Sequence, residues 1–116
     1  MNLVKYKHRV FQTSALLSVV ADPEQEALEG ETAILVCTVT SFPSPRIWWF
    51  RIQGANETLL GQEQRATEEN FGMWTIENVQ DSDAGQYRCD GNYAFGSDSA
   101  TIELVVLSKS SLSYVL

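Results

Sequence analysis

Three residue types able to do chemistry fall within nine positions of this 116-residue chain, in the run "DSDAGQYRC" from Asp81 to Cys89. Asp83 could serve as a general base, Tyr87 as a proton donor and Cys89 as a nucleophile, if a fold aimed all three at one point. The rest of the sequence argues against that use. The sole histidine, His8, sits in a basic leader with no nucleophile or acid near it in sequence. The carboxylate pairs Glu68–Glu69 and Asp81–Asp83 lie in turn-forming stretches, where acids solvate the surface and bond the local backbone. No glycine-rich phosphate loop, zinc motif or Ser-x-x-Lys arrangement occurs. One histidine and two distant cysteines cannot supply four zinc ligands, and calcium at Asp81 and Asp83 would lack oxygen ligands. The expectation is a protein without catalysis, without a metal and without a cofactor.

Charge narrows the partners. The net charge is −7, but the first nine residues carry Lys5, Lys7 and Arg9 and no acid. From Asp22 to Leu107 there are fifteen acids against four arginines, a balance of −11. Such a body repels phosphate backbones and anionic membrane faces, so neither nucleic acid nor a lipid surface is an expected partner. No apolar run approaches the ~20 residues of a membrane-spanning helix, so direct insertion is not expected. Residues 1–15 read as a basic leader or signal-like segment, with Val19 and Ala21 as small residues of the kind a signal peptidase cuts after.

The elements that must position these residues read as strands. "ETAILVCTV" alternates with Ala33, Leu35, Cys37 and Val39 on one face. "RIWWFRI" puts Ile47 and Trp49 on one face, Trp48 and Phe50 on the other. "FGMWTIENV", "GQYRCD" and "SATIELVVL" follow, separated by "QGANE", "ATEENFG", "QDSDAG" and "NYAFGS", all rich in turn formers. A first strand is expected at about Leu16–Val20, bending or changing sheets at Pro23. "GQEQRATEEN" reads as a polar strand or loop. Short strands with turns at even spacing imply a β-sandwich or barrel.

These residues also carry a resemblance. Cys37, Trp49 and Cys89 preceded by "DAGQY" resemble the immunoglobulin superfamily. "FPSPRIWWFR" resembles the Pro-x-Pro approach to the third strand in its intermediate set, and "WTIENVQDSDAGQYRC" its fifth and sixth strands. The likeness runs from about Val20 to Val106; Tyr93 and Trp74 depart from the residues usual at their positions. It implies an all-β, immunoglobulin-like sandwich of two antiparallel sheets in Greek-key order, with one Cys37–Cys89 disulfide between them. The domain would cover residues 16–108, with 109–116 as a linker or tail. Trp49 would pack on the disulfide, since burying Trp48 instead would turn both Ile47 and Trp49 to water. Tyr87 would form the tyrosine corner, Gly85 would permit its turn, and Asp83 would pair with Arg65.

If Trp49 and Cys89 face inward, Trp48, Phe50, Arg88 and Asp90 face outward on the sheet of the third, sixth and seventh strands, and Val105 extends the patch. Exposed aromatics beside an arginine are a composition enriched at protein interfaces. Tyr93 and Phe95 at a loop tip form a second candidate surface, and Ile34 and Val36 face out from the opposite sheet. Asn56, in the triplet Asn56-Glu57-Thr58, is a glycosylation acceptor in an expected loop. The resulting expectation is a protein-binding module of an extracellular receptor or adhesion protein, part of a larger multi-domain chain, with a second copy of itself as one candidate among protein partners. The alternative is a structural module of an intracellular, cytoplasmic filament protein, with both cysteines reduced.

Overall fold

The computed structural model describes residues 17–41, 45–63 and 71–108. Eight strands follow in chain order: β1 (Leu17–Val20), β2 (Glu24–Leu28), β3 (Ala33–Ser41), β4 (Arg46–Gln53), β5 (Asn56–Glu63), β6 (Phe71–Ile76), β7 (Gly85–Tyr93) and β8 (Gly96–Leu107). One 3₁₀ turn, Asp81–Asp83, precedes β7. The strands form two sheets, β1-β3-β6 and β2-β8-β7-β4-β5. The chain crosses between sheets at β1–β2, β2–β3, β3–β4, β5–β6 and β6–β7, which gives the sandwich its Greek-key character. Among the described residues no helix is long and apolar enough to cross a membrane.

Period-two alternation builds the core. Leu35, Cys37 and Val39 of β3, Ile47 and Trp49 of β4, and Ile102 and Leu104 of β8 are fully buried or nearly so. The Cys37–Cys89 disulfide joins the two sheets across a sequence separation of 52. Trp49 stands directly across from Cys89 in the β4–β7 ladder. Gly72 lies opposite Cys37 in its own sheet, and a Cβ there would come within 3.0 Å of Ile47 Cδ1 in the other sheet and 3.1 Å of the Cys37 sulfur. The sheets approach closely at that point because the residue carries no side chain.

The N-terminal strand changes sheets at the expected place. β1 runs antiparallel to β3 and stops where Val20 faces Thr38. The chain passes Pro23, whose carbonyl accepts from the Glu103 N–H at 2.8 Å, and continues as β2, parallel to β8. The expected antiparallel sheets therefore contain one parallel pairing. The switch leaves the edge of β3 without a strand beyond Thr38. The Gln25 side chain fills that place: its amide nitrogen donates to the Val36 carbonyl, and its oxygen accepts from the Val36 N–H, both at 3.2 Å. A side-chain amide thus takes the bonds a neighbouring backbone would have made.

The first part of one strand was not expected from sequence, while its last residues, Gly61–Glu63, open the run read as a polar strand or loop. β5 pairs with β4 through the two-residue turn Gly54–Ala55. Gly54 takes φ +62° at the first central position, as a type II′ hairpin requires. The ladder shifts register between Trp49 and Phe50, and Gly61 then faces Trp49.

Candidate functional site

The acid, phenol and thiol of "DSDAGQYRC" do not converge. Cys89 is consumed by the disulfide. The Tyr87 hydroxyl donates to the Asp83 carbonyl at 2.5 Å, bracing the turn before β7. Burial pushes the Tyr87 phenol above its ordinary range; the Asp83 charge adds to this, and the nearby Arg51 charge opposes it. The Asp83 carboxylate accepts from the Gln80 N–H at 2.8 Å and closes the 3₁₀ turn. Arg65, the expected partner of Asp83, lies outside the described residues.

Another cation occupies this end of the sandwich. Arg51 donates to the Tyr87 hydroxyl at 3.2 Å and to the carbonyls of Ser82 and Ala84 at 3.2 and 2.8 Å. Its guanidinium carbon lies 4.9 Å from the centre of the Tyr87 ring. Gly85, at φ +134°, passes so close that a Cβ would sit 3.2 Å from an Arg51 nitrogen. Arg51 escaped sequence reading, although a signal was present. It shares the inward parity of Ile47 and Trp49, and an arginine on a core face must find acceptors.

On the outer side of the five-stranded sheet, Trp48, Phe50, Arg88 and Asp90 lie on one face of β4 and β7 and are half-buried. Their register pairs Trp48 with Asp90 and Phe50 with Arg88. The Arg88 guanidinium lies over the Phe50 ring, 4.7 Å from its centre. It bonds Asp90 at 2.6 Å and Glu57 of β5 at 2.8 Å. The Glu57 hydrogen bond, then that of Asp90, raises the Arg88 pKa and holds it charged, while Arg88 pulls the Glu57 carboxyl below its usual value. The sequence suggested an Arg88 available to a partner. The fold instead clamps it between two carboxylates on an aromatic ring, with exposed Leu59 of β5 across from Phe50. Solvent screens an ion pair with so exposed a carboxylate, so the clamp matters for presentation more than for folding. Glu57 was missed as part of this face because the first part of β5 was not expected.

The remaining candidates are scattered. Tyr93 ends β7 and pairs with Gly96, and Phe95 is the second residue of the tight turn Ala94–Phe95 between β7 and β8. Their rings meet edge to face at 5.7 Å, and Phe95 is 77% exposed. The tip is a two-residue hairpin, within the turn-forming run "NYAFGS". Val105 is half-buried on β8. Ile34 is exposed and Val36 half-buried, and with Val20 they line a cleft of about 640 Å³ rimmed by Asp22, Glu24 and Glu26. Asn56 is exposed and opens strand β5, not a loop. Among the described residues no group of three or more His, Cys, Asp or Glu side chains is placed to hold a metal ion.

Comparison with known proteins bears on this architecture. A family model described as an immunoglobulin domain matches residues 18–92. The chain is 40% identical over 87 residues to basigin of Bos taurus, across 69% of this chain and 42% of that protein. It is 33% identical over 86 residues to neural cell adhesion molecule 1-A of Xenopus laevis, across 74% of this chain and 8% of that protein. The chain thus spans less than half the length of either relative. Among solved structures, a chimeric titin Z1Z2 aligns with a TM-score of 0.61 at 26% identity, across 80% of this chain and 95% of that one.

Proposed function

This chain belongs to the immunoglobulin superfamily, and from that premise we propose that it is a non-catalytic protein-binding module of a cell-surface receptor or adhesion protein, docking through the outer face of β4, β7 and β8. The observation that carries the reading is the Arg88 clamp. A guanidinium stacked on Phe50 and held by Glu57 and Asp90 presents a fixed cation beside Trp48. Aromatic and arginine anchors already locked in one geometry lose little side-chain freedom on binding, which is where affinity is gained. Two carboxylates on one guanidinium leave the cluster acidic, so the partner surface it suits is apolar at its centre and basic around it.

The disulfide supports an oxidising compartment and hence an extracellular location. The similarity to a protein named as a cell adhesion molecule, of which this chain matches 8%, supports a place within a larger multi-domain chain. The likeness to titin keeps a second reading in play, that of a structural module in an intracellular filament. Thiols at Cys37 and Cys89 found free in native material would decide for it.

The test of the first reading is a binding screen of the purified domain against a panel of adhesion ectodomains, itself included. Trp48→Ala should weaken the interaction found by about 30-fold or more, the effect of losing an interface anchor worth ~2 kcal/mol. The fold of that variant should remain cooperative. An interaction indifferent to Trp48→Ala, Phe50→Ala and Arg88→Ala would sink the assignment to this face.

A further inference from the structure

We propose that Asn56 carries an N-linked glycan seated on the uncovered back of β5, where it closes this edge of the sheet to strand pairing and leaves the Trp48–Phe50–Arg88 face open. The triplet Asn56-Glu57-Thr58 supplies the acceptor amide and the hydroxyl two residues on, with no proline between them. The amide nitrogen of Asn56 attacks the anomeric carbon of a lipid-diphosphate-linked oligosaccharide. A new N–C bond replaces the C–O bond to the diphosphate, which leaves on its lipid, and the amide releases one proton to solvent. The modification rests on the secretory location proposed above.

The fold fixes where the sugar goes. Asn56 directly follows the Gly54–Ala55 turn, and residues 53–59 are all exposed. Glu57 points to the outer face, because its carboxylate bonds Arg88 there. Successive side chains of a strand alternate, so Asn56 and Thr58 project from the opposite side. That side would face the other sheet if the sandwich were symmetric. Among the described residues it is not: three strands lie against five, and β5 is the outermost of the five. The opposite sheet reaches β5 at Gly61, where a Cβ would meet the Trp74 ring at 2.7 Å. Among the described residues, Asn56 and Thr58 are exposed on that side.

The same half has an edge to guard. As an outermost strand, β5 turns one row of backbone N–H and C=O groups outward. It contains neither proline nor lysine, the common deterrents to edge-to-edge pairing, and Leu59 is 53% exposed. The register shift in the β4–β5 ladder falls in its second half. A bulky, hydrated sugar on Asn56 covers the half that lacks other protection.

The experiment uses the full chain secreted from animal cells. Peptide mass spectrometry, with and without an N-glycosidase, should recover the Asn56 peptide only after the enzyme, with Asn56 converted to Asp. Asn56→Gln should remove the sugar, and Thr58→Ser should retain it. Recovery of the unmodified Asn56 peptide from secreted protein overturns the proposal, whatever the binding screen finds. Sedimentation velocity then compares glycosylated protein with the Asn56→Gln variant, both carrying Trp48→Ala so that association through the outer face does not contribute. The sugar-free form should shift from monomer toward dimer; identical profiles overturn the edge-guarding role. Partner binding through the intact Trp48 face should be unchanged by Asn56→Gln, and its loss overturns the placement of the sugar on the back.

Discussion

Tyr87 shows how a group with catalytic potential becomes a structural one. Its ring is 2% exposed, and its hydroxyl both donates to the Asp83 carbonyl and accepts from Arg51. Burial favours the neutral phenol, so the folded-state pKa lies above the ordinary 10. A group whose pKa rises on folding adds stability that is fully present below the unfolded pKa and lost as pH climbs through the folded one. The urea midpoint should therefore contain a Tyr87-dependent fall that begins above pH 10. Tyr87→Phe should abolish that component and lower stability at neutral pH by about 1–3 kcal/mol, because the Arg51 nitrogen and the Asp83 carbonyl lose a buried partner. A variant that keeps the same alkaline slope would remove Tyr87 from this role. The tyrosine corner was legible in "DAGQY"; its brace was not, since Arg51 lies 36 residues away in sequence.

At the scale of elements, β3, β4, β7 and β8 were legible because one face of each is buried, and burial writes alternation into a strand. β5 was not. Its first half is solvated on both faces, so "NETL" carries no alternating pattern, and its pairing depends on the turn at Gly54 and on β4. Its second half is specified by contact with the other sheet. The Trp74 ring stacks over Gly61 so closely that a Cβ would fall 2.7 and 2.8 Å from two ring carbons. Gly61→Ala should cost about 1–3 kcal/mol by overpacking. Trp74→Leu should recover part of that loss when the two are combined, and a double-mutant cycle measured by urea denaturation reads the coupling. Additive effects would mean that the ring moves aside at no cost. The Gln25 bridge to Val36 was equally hidden, because a glutamine on an acidic strand gives no sign that it stands in for a missing neighbour.

For the whole molecule the disulfide is the central constraint. It spans 52 residues and links the two sheets beside Trp49. Loop-closure entropy assigns such a link ~4 kcal/mol. Replacing both cysteines with alanine should lower the unfolding free energy by about that much, since the entropy of the unfolded chain rises when the link is absent. Thermal and urea melts read the loss. A loss near zero would mean that packing around Trp49 alone holds the sheets in place. Protein isolated natively and then unfolded in denaturant should gain two hydrogens in mass on adding reductant; no gain would mean that Cys37 and Cys89 were already thiols.

The sequence by itself determined the class of fold, the residues of the core and the likeness to the immunoglobulin superfamily. These follow from strand periodicity, turn residues and a few fixed offsets, all of them local in the chain. It also placed Trp48, Phe50, Arg88 and Asp90 on one face, because parity within a strand is local too. The tertiary structure decided what those residues do for one another. It brought Glu57 across from a strand the sequence concealed and closed Arg88 into a clamp over Phe50. It set Arg51 beneath Tyr87 and left Asn56 exposed on the side of β5 opposite Glu57. Each of these depends on which strands become neighbours, and that is settled only when the two sheets, three strands against five, pack together.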